Sequence, residues 1–272
     1  MIDGIVACLD GSAHAEAILP YARGIAKALA VPLTLLGVAE SSGAFDDVER
    51  YLDRLARSIG ALKKAAAATN AADAILSELR KNPRSLPALT THGRTAVMEA
   101  LFGSVALAVI RGINRPVLVY RPQLRPASDQ PARIQTVIAA LDGSEFSAKI
   151  LPFAAKLAKL LDARFVLVQA LKSLPRHLPP AGLVGKDLLE SSFLKATARE
   201  VKRKFGAESD WEVLHGSAAE AISNYAGQQS DCILAMTSRG RAGLEMTLLG
   251  SVSRECLRHA GVPVLLYWPD GS

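Results

Sequence analysis

The sequence predicts an α/β protein built from two tandem doubly wound parallel sheets, and three observations carry that prediction. Residues 5–12, Ile-Val-Ala-Cys-Leu-Asp-Gly-Ser, return at 137–144 as Val-Ile-Ala-Ala-Leu-Asp-Gly-Ser. Two copies at that spacing are duplicated domains, because a solenoid needs more and shorter units. Within each half, short apolar runs alternate with helix-like stretches, the pattern of strands joined by crossover helices. The chain of 272 residues is 50% hydrophobic and 21% charged, enough to build two packed cores.

The elements follow in order. Residues 5–9 are a continuous run of apolar, largely branched residues, read as a strand buried on both faces. Asp10-Gly11-Ser12 is turn chemistry, with Ser12 placed to cap the next helix. Residues 14–29 read as a helix, 33–38 as a second strand and 46–66 as a long helix. A helix at 73–81, a strand at 86–89, a helix at 104–111 and a strand at 117–120 complete the first half. The second half repeats this order. Its third strand is plain at 211–214, whereas the first half offers only the alanines 65–68 there. Near the end of each half the repeat returns with an offset larger by 15 residues. The extra segment, roughly 173–188, contains Pro175, Pro179 and Pro180 and is expected to be a surface loop or lid after strand two. Pro87 removes a ladder donor from the first half's fourth strand and is expected to disturb its register. The expected domains are 1–121 and 133–272, with a proline-rich linker at 122–132.

Several function classes are excluded or weakened. The net charge of +6 is spread evenly, with 15 basic and 12 acidic residues in 1–130 and 17 and 14 in 131–272. The one basic cluster, Lys202-Arg203-Lys204, reads as a solvated helix face, so no nucleic-acid partner is expected. The longest stretch free of charged residues, 28–39, is too short to span a bilayer, which takes about 20 residues. Neither a membrane partner nor a secretory leader is expected. Cys8, Cys232 and Cys256 form no pair or metal spacing, which suits a reducing cytoplasm. There is no P-loop, no GxSxG elbow and no histidine pair at metal-ligand spacing.

Doubly wound sheets bind ligands beyond the C-terminal ends of their strands. Three features recur there. Asp10 and Asp142 end strand one, where a carboxylate can hold a ribose hydroxyl or serve an Asx turn and helix cap. The loops Thr90-Thr91-His92-Gly93-Arg94 and Thr237-Ser238-Arg239-Gly240-Arg241 follow strand four. Nine residues beyond each loop glycine comes Gly103-Ser104 or Gly250-Ser251, opening a helix. Glycine backbone, a helix N-terminus and a serine hydroxyl together suit a phosphate.

With these residues the chain resembles a tandem universal stress protein. The likeness rests on the Leu-Asp-Gly-Ser strand ends, the G-x9-G-S loops and the Arg-x4-Pro-Val-Leu tails, and covers both halves nearly end to end. It implies a Rossmann-like, five-stranded parallel sheet of order 3-2-1-4-5 in each domain. It also implies ATP bound between strands one and four through a G-x2-G-x9-G-[ST] motif, with or without Mg2+ and with no redox cofactor. Carried over, the motif falls on Gly93, Gly103 and Ser104, and on Gly240, Gly250 and Ser251. Arg94, Arg241 and Val252 flank it, Asp10 and Asp142 match the acid, and Val38 and Ala170 fall on the adenine side. Both halves depart at the motif's first glycine, which is Thr90 or Thr237, and Glu99 and Glu245 lie inside the loops. The resemblance further implies pairing of the domains through 117–120 and 264–267, as an intramolecular pseudo-dimer with or without a homodimer. The functional expectation is a stress-response protein that senses ATP, with slow hydrolysis at most and no catalytic residue assigned. The alternative is an interaction module that acts through protein partners. The second half is expected to hold a nucleotide better, because Arg239 and Arg241 flank its loop glycine where the first half has His92 and Arg94.

Overall fold

A computed structural model describes residues 2–91, 102–122, 130–171, 180–229, 231–239 and 249–269. The chain divides into two compact units, Met1–Arg133 and Ile134–Ser272. The first contains β1 (Gly4–Leu9), α1 (Ala13–Glu16), α2 (Leu19–Leu29), β2 (Leu33–Ala39), α3 (Phe45–Ile59), β3 (Leu62–Ala67), α4 (Ala71–Lys81), β4 (Ser85–Thr90), α5 (Ser104–Gly112) and β5 (Val117–Tyr120). The second contains β6 (Thr136–Leu141), α6 (Glu145–Ala148), α7 (Leu151–Leu161), β7 (Arg164–Leu171), α8 (Pro180–Phe205), β8 (Asp210–His215), α9 (Ala218–Gly227), β9 (Cys232–Thr237), α10 (Ser251–His259) and β10 (Val264–Tyr267). Each unit is a parallel sheet, ordered β3-β2-β1-β4-β5 in the first and β8-β7-β6-β9-β10 in the second. This is the doubly wound order expected from the resemblance.

The central strands β1 and β6 are buried along their whole length, because helices cover both faces. Ile5, Leu35, Leu36, Leu52 and Leu79 are among the fully buried side chains of the first unit, and Ile138, Ile150 and Leu157 of the second. Each such side chain contributes about 1.5–3 kcal/mol by leaving water. The outer strands β3 and β8 are more exposed, with Leu62 58% and Trp211 38% accessible.

Four expectations are corrected. The helix read over 14–29 is two helices, because Pro20 has no N–H to continue the first and instead opens α2, in the turn that needs none. The helix read over 46–66 stops at Ile59, where Gly60 takes φ +67° and its N–H caps the Ala56 carbonyl. That left-handed cap frees Leu62–Ala67 to pair with β2, so the weak alanine run is a strand whose first residues are Leu62, Lys63 and Lys64. The segment 173–188 is not all loop: residues 172–179 lie outside the described residues, but α8 begins at Pro180, a position where proline suits a helix. Pro87 leaves the register intact. It aligns with Val6 as Leu234 aligns with Ile138. What the proline removes is one rung, the counterpart of the Leu234 N–H donating to the Pro263 carbonyl at 3.0 Å.

The connecting stretch returns onto the first unit. The Ala132 N–H donates to the Pro20 carbonyl at 2.9 Å, and a Cβ on Gly24 would run into the Ala132 carbonyl. Gly24 therefore gives the backbone room to cross α2.

Candidate functional site

The site is built from the C-terminal strand ends upward. In both units the strand-one aspartate forms the same turn. The Ser12 N–H and hydroxyl donate to Asp10 Oδ1 at 3.0 and 2.6 Å, and Ser12 Oγ accepts the Ala15 N–H at 3.1 Å. Ser144 repeats those bonds with Asp142 at 3.0 and 2.6 Å, and accepts from Ser147 at 3.1 Å. Gly11 and Gly143 adopt φ +83° and +80°, which explains glycine at the turn's centre. One carboxylate oxygen of each aspartate is thus engaged locally, and the expected helix cap is present in both units.

The second component is the clamp after strand four. The Gly103 N–H donates to the Thr91 carbonyl at 2.8 Å, and the Gly250 N–H donates to the Ser238 carbonyl at 2.8 Å. These bonds bring the N-termini of α5 and α10 back beside the ends of β4 and β9. The glycine N–H is spent on the clamp. The groups left to meet an anion are the following N–H groups, Ser251 and Val252 in the second unit, with the Ser104 and Ser251 hydroxyls, both of these serines being exposed. Neither glycine needs a positive φ. What they need is space, and unequally: a Cβ at Gly250 would lie 3.3 Å from both Arg239 Cα and Ser238 O, whereas at Gly103 the nearest atom, Thr91 O, is at 3.8 Å.

The threonines at the motif's first-glycine position are accommodated. Thr90 and Thr237 are buried, and the Thr237 hydroxyl donates to the Arg239 carbonyl at 2.6 Å, stiffening the loop. The Ser253 hydroxyl donates to the Thr237 carbonyl at 2.8 Å, a tie from α10 to the strand that Ala106 cannot make at the corresponding place in α5. Val38 and Ala170 sit half-buried near the ends of β2 and β7. Gly93, Arg94, Gly240 and Arg241, with Glu99 and Glu245, lie outside the described residues. Among the described residues the structure thus gathers Asp10, Thr90, Gly103 and Ser104 in one unit, and Asp142, Thr237, Gly250, Ser251 and Val252 in the other.

Sequence reasoning missed the Tyr51–Glu16 pair and the contact of Arg239 with Phe146. In the first unit the Tyr51 hydroxyl donates to Glu16 Oε1 at 2.9 Å. Burial first, and then this bond, pushes the phenol above its ordinary range, with the Asp10 charge adding to the effect. In the second unit Arg239 is only 7% exposed and its guanidinium carbon lies 5.3 Å from the Phe146 ring centroid; Lys149 Nζ lies 5.5 Å from the same ring. Such cation–π contacts help to hold a guanidinium in place. The equivalents of Phe146 and Ala148 in the first unit are His14 and Glu16, and only that substitution pattern, read across the repeat, signals the difference.

The three cysteines are free and buried, and burial pushes Cys8 and Cys232 up to about 12 and Cys256 to about 11. They are packed thiols with no nucleophilic role at neutral pH. Among the described residues no cluster of three His, Cys, Asp or Glu side chains could hold a metal ion, and no helix is long and apolar enough to cross a membrane.

Tandem doubly wound units, each with an Asp-Gly-Ser strand end and a glycine-clamped helix, define a duplicated Rossmann-like α/β protein. The family model described as Universal stress protein family matches residues 1–121 and 133–267, and the chain belongs to that family. A universal stress protein of Synechocystis sp. is 30% identical over 180 residues, covering 66% of this chain and 56% of that protein. The match thus spans little more than half of that relative's length. One from Methanocaldococcus jannaschii is 29% identical over 137 residues, covering 48% of this chain and 79% of that protein. Among solved structures, a universal stress protein from Archaeoglobus fulgidus superimposes with a TM-score of 0.65 at 18% identity, covering 99% of this chain and 98% of the other, a likeness of fold.

Proposed function

We propose that this universal stress protein binds an adenine nucleotide, ATP, at the strand ends of its second unit and acts as a sensor or regulator. The observation that carries this reading is Arg239, buried and laid over Phe146, at the mouth of a loop clamped to the N-terminus of α10. A guanidinium, the Ser251 and Val252 N–H groups and the Ser251 hydroxyl are the donors a phosphate chain requires. Asp142, whose Oδ1 accepts the Ser144 N–H and hydroxyl, is the residue this reading assigns to the ribose. A Mg2+ ion arriving with the triphosphate would be held largely by phosphate oxygens and water. The function assigned is binding, with slow hydrolysis at most.

The first unit favours the other reading. Glu16 and Asp10 put two acidic groups near its strand ends, where they oppose phosphate. That unit fits a role in contacts with protein partners.

Native mass spectrometry of the full chain, followed by calorimetric titration with ATP, tests both. One nucleotide per chain is expected, abolished by Ser251→Asp and retained in Ser104→Asp. Retained binding in Ser251→Asp, or no binding by the unaltered chain, overturns the assignment.

A further inference from the structure

Each unit leaves one strand at the open edge of its sheet. β3 pairs with β2 alone and β8 with β7 alone, so each presents a row of backbone N–H and C=O groups with no ladder partner. Among the described residues the large apolar side chains that stand exposed are Leu62 and Trp211, one on each of these strands. An open edge with an exposed apolar side chain is a template for another strand.

The two edges are opposite in charge. β3 carries Lys63 and Lys64 and no acid, whereas β8 carries Asp210 and Glu212 and no lysine or arginine. Two of these four groups are engaged within the chain. Lys63 Nζ lies 3.4 Å from Glu49 and 3.1 Å from Asp53 of α3, and Asp210 lies 2.6 Å from Arg164. Lys64 lies 2.6 Å from Glu78 but is half-exposed, and an ammonium has three protons to donate, so it can keep Glu78 and meet a second acid. Glu212 is exposed and has no ion pair among the described residues.

The alternation of side chains limits which residues can meet. Lys63 faces α3 and Lys64 faces α4, as their acidic partners show. In the matching registers of the two sheets Trp211 holds the place of Lys63, and Glu212 that of Lys64. Right-handed crossovers lead to the edge in both units. A half-turn in the plane of the sheet therefore sets β8 of one copy beside β3 of another, antiparallel, with α3 and α8 on the same face. From this fit we propose that β3 and β8 are complementary association edges that join copies of this chain head to tail. One register sets Lys64 opposite Glu212, Leu62 opposite Leu214 and Ala65 opposite Trp211. It matches charge with countercharge, leucine with leucine, and the largest side chain with a small one. Pairing of like edges, β3 with β3 or β8 with β8, offers no such ion pair. Head-to-tail contacts close into a ring or continue as an open chain. The contact uses the edges of the sheets and not their strand ends, so it is independent of the nucleotide reading.

Sedimentation velocity of the full chain over a concentration series tests the proposal. Association should grow with concentration, and Trp211 emission should shift to the blue as its ring is covered, Trp268 being buried already. Glu212→Lys and Leu62→Glu both change exposed side chains, so the fold should hold, and each should weaken association at least tenfold. Mixed in equal amounts, the two variants should form a dimer and grow no further, because one keeps an intact β3 edge and the other an intact β8 edge. Lys64→Glu combined with Glu212→Lys in one chain should restore association. The proposal is overturned if the unaltered chain stays monomeric at every concentration, if either single variant associates like the unaltered chain, if the mixture stays monomeric, or if the combined variant fails to associate.

Discussion

The two units share a sheet order, an Asp-Gly-Ser turn with the same bond lengths, and a clamp of the same 2.8 Å, yet the other side chains around their strand ends differ in charge. The first brings Asp10, Glu16 and Tyr51 together; the second brings Phe146, Lys149 and Arg239. The backbone that shapes the site survived duplication, while the side chains around it diverged. Their clamps also differ in slack, since Ser253 ties α10 to Thr237 and the first unit has alanine at that place.

The largest expected effect comes from closing that slack. In Gly250→Ala the new methyl meets two backbone atoms at 3.3 Å, and neither can yield without moving the loop. Overpacking of this kind costs about 1–3 kcal/mol. Gly103→Ala, with its nearest neighbour at 3.8 Å, should be close to neutral. Thermal unfolding of the two variants compares them directly, and ATP binding should be lost in Gly250→Ala alone. Equal destabilisation would mean that the clamps are equivalent.

Next comes the cation itself. Arg239→Gln keeps a planar polar group but removes the charge and its contact with Phe146. Charge-assisted bonds of this type contribute about 1.5–3 kcal/mol, so the dissociation constant for ATP should rise roughly tenfold to a hundredfold. Glu16→Ala, which gives the first unit the residue found at Ala148, should leave affinity at the second unit unchanged. If calorimetry finds ATP binding unaffected by Arg239→Gln but altered by Glu16→Ala, the ranking of the units is reversed.

The repeat made the architecture legible because each strand's apolar run and each Asp-Gly-Ser turn appeared twice, so one copy supported the other. Where the copies differ, the reading faltered. Leu62–Ala67 carries two lysines and three alanines, a poor strand by composition, and forms only because β2 offers a ladder and Gly60 ends the helix before it. Pro87 argues against β4 by composition, but parallel ladders on both sides hold the strand, and the proline removes one rung. The strand-end residues were legible by type, since Asp, Gly and Ser have fixed local duties there. The pairing of Arg239 with Phe146 was not, because 93 positions separate them and only the fold brings α6 beside the end of β9.

The smallest effect concerns Tyr51, and pH separates it from packing. In the folded first unit the phenol is buried and donates to Glu16, so its pKa stands above the ordinary value of about 10. A raised pKa means that the folded state favours the protonated form. The stabilisation is therefore fully present below the ordinary tyrosine pKa and is lost as pH climbs through that value toward the folded one. Tyr51→Phe keeps the ring and removes the hydroxyl, at a cost of about 1 kcal/mol near neutral pH. Denaturant unfolding of the two proteins should show that difference at pH 7 and a shrinking one above pH ~10, as the unfolded tyrosine ionises. Absorbance at 295 nm gives the independent check: the delayed ionisation of the folded chain should shrink by one tyrosine in Tyr51→Phe, with Tyr225, which burial also raises, still contributing. A difference that persists undiminished at high pH would assign the effect to ring packing. Because Asp142 matches Asp10, the acidic character that separates the first unit's strand ends from the second's rests on Glu16, which the lost bond would leave unheld.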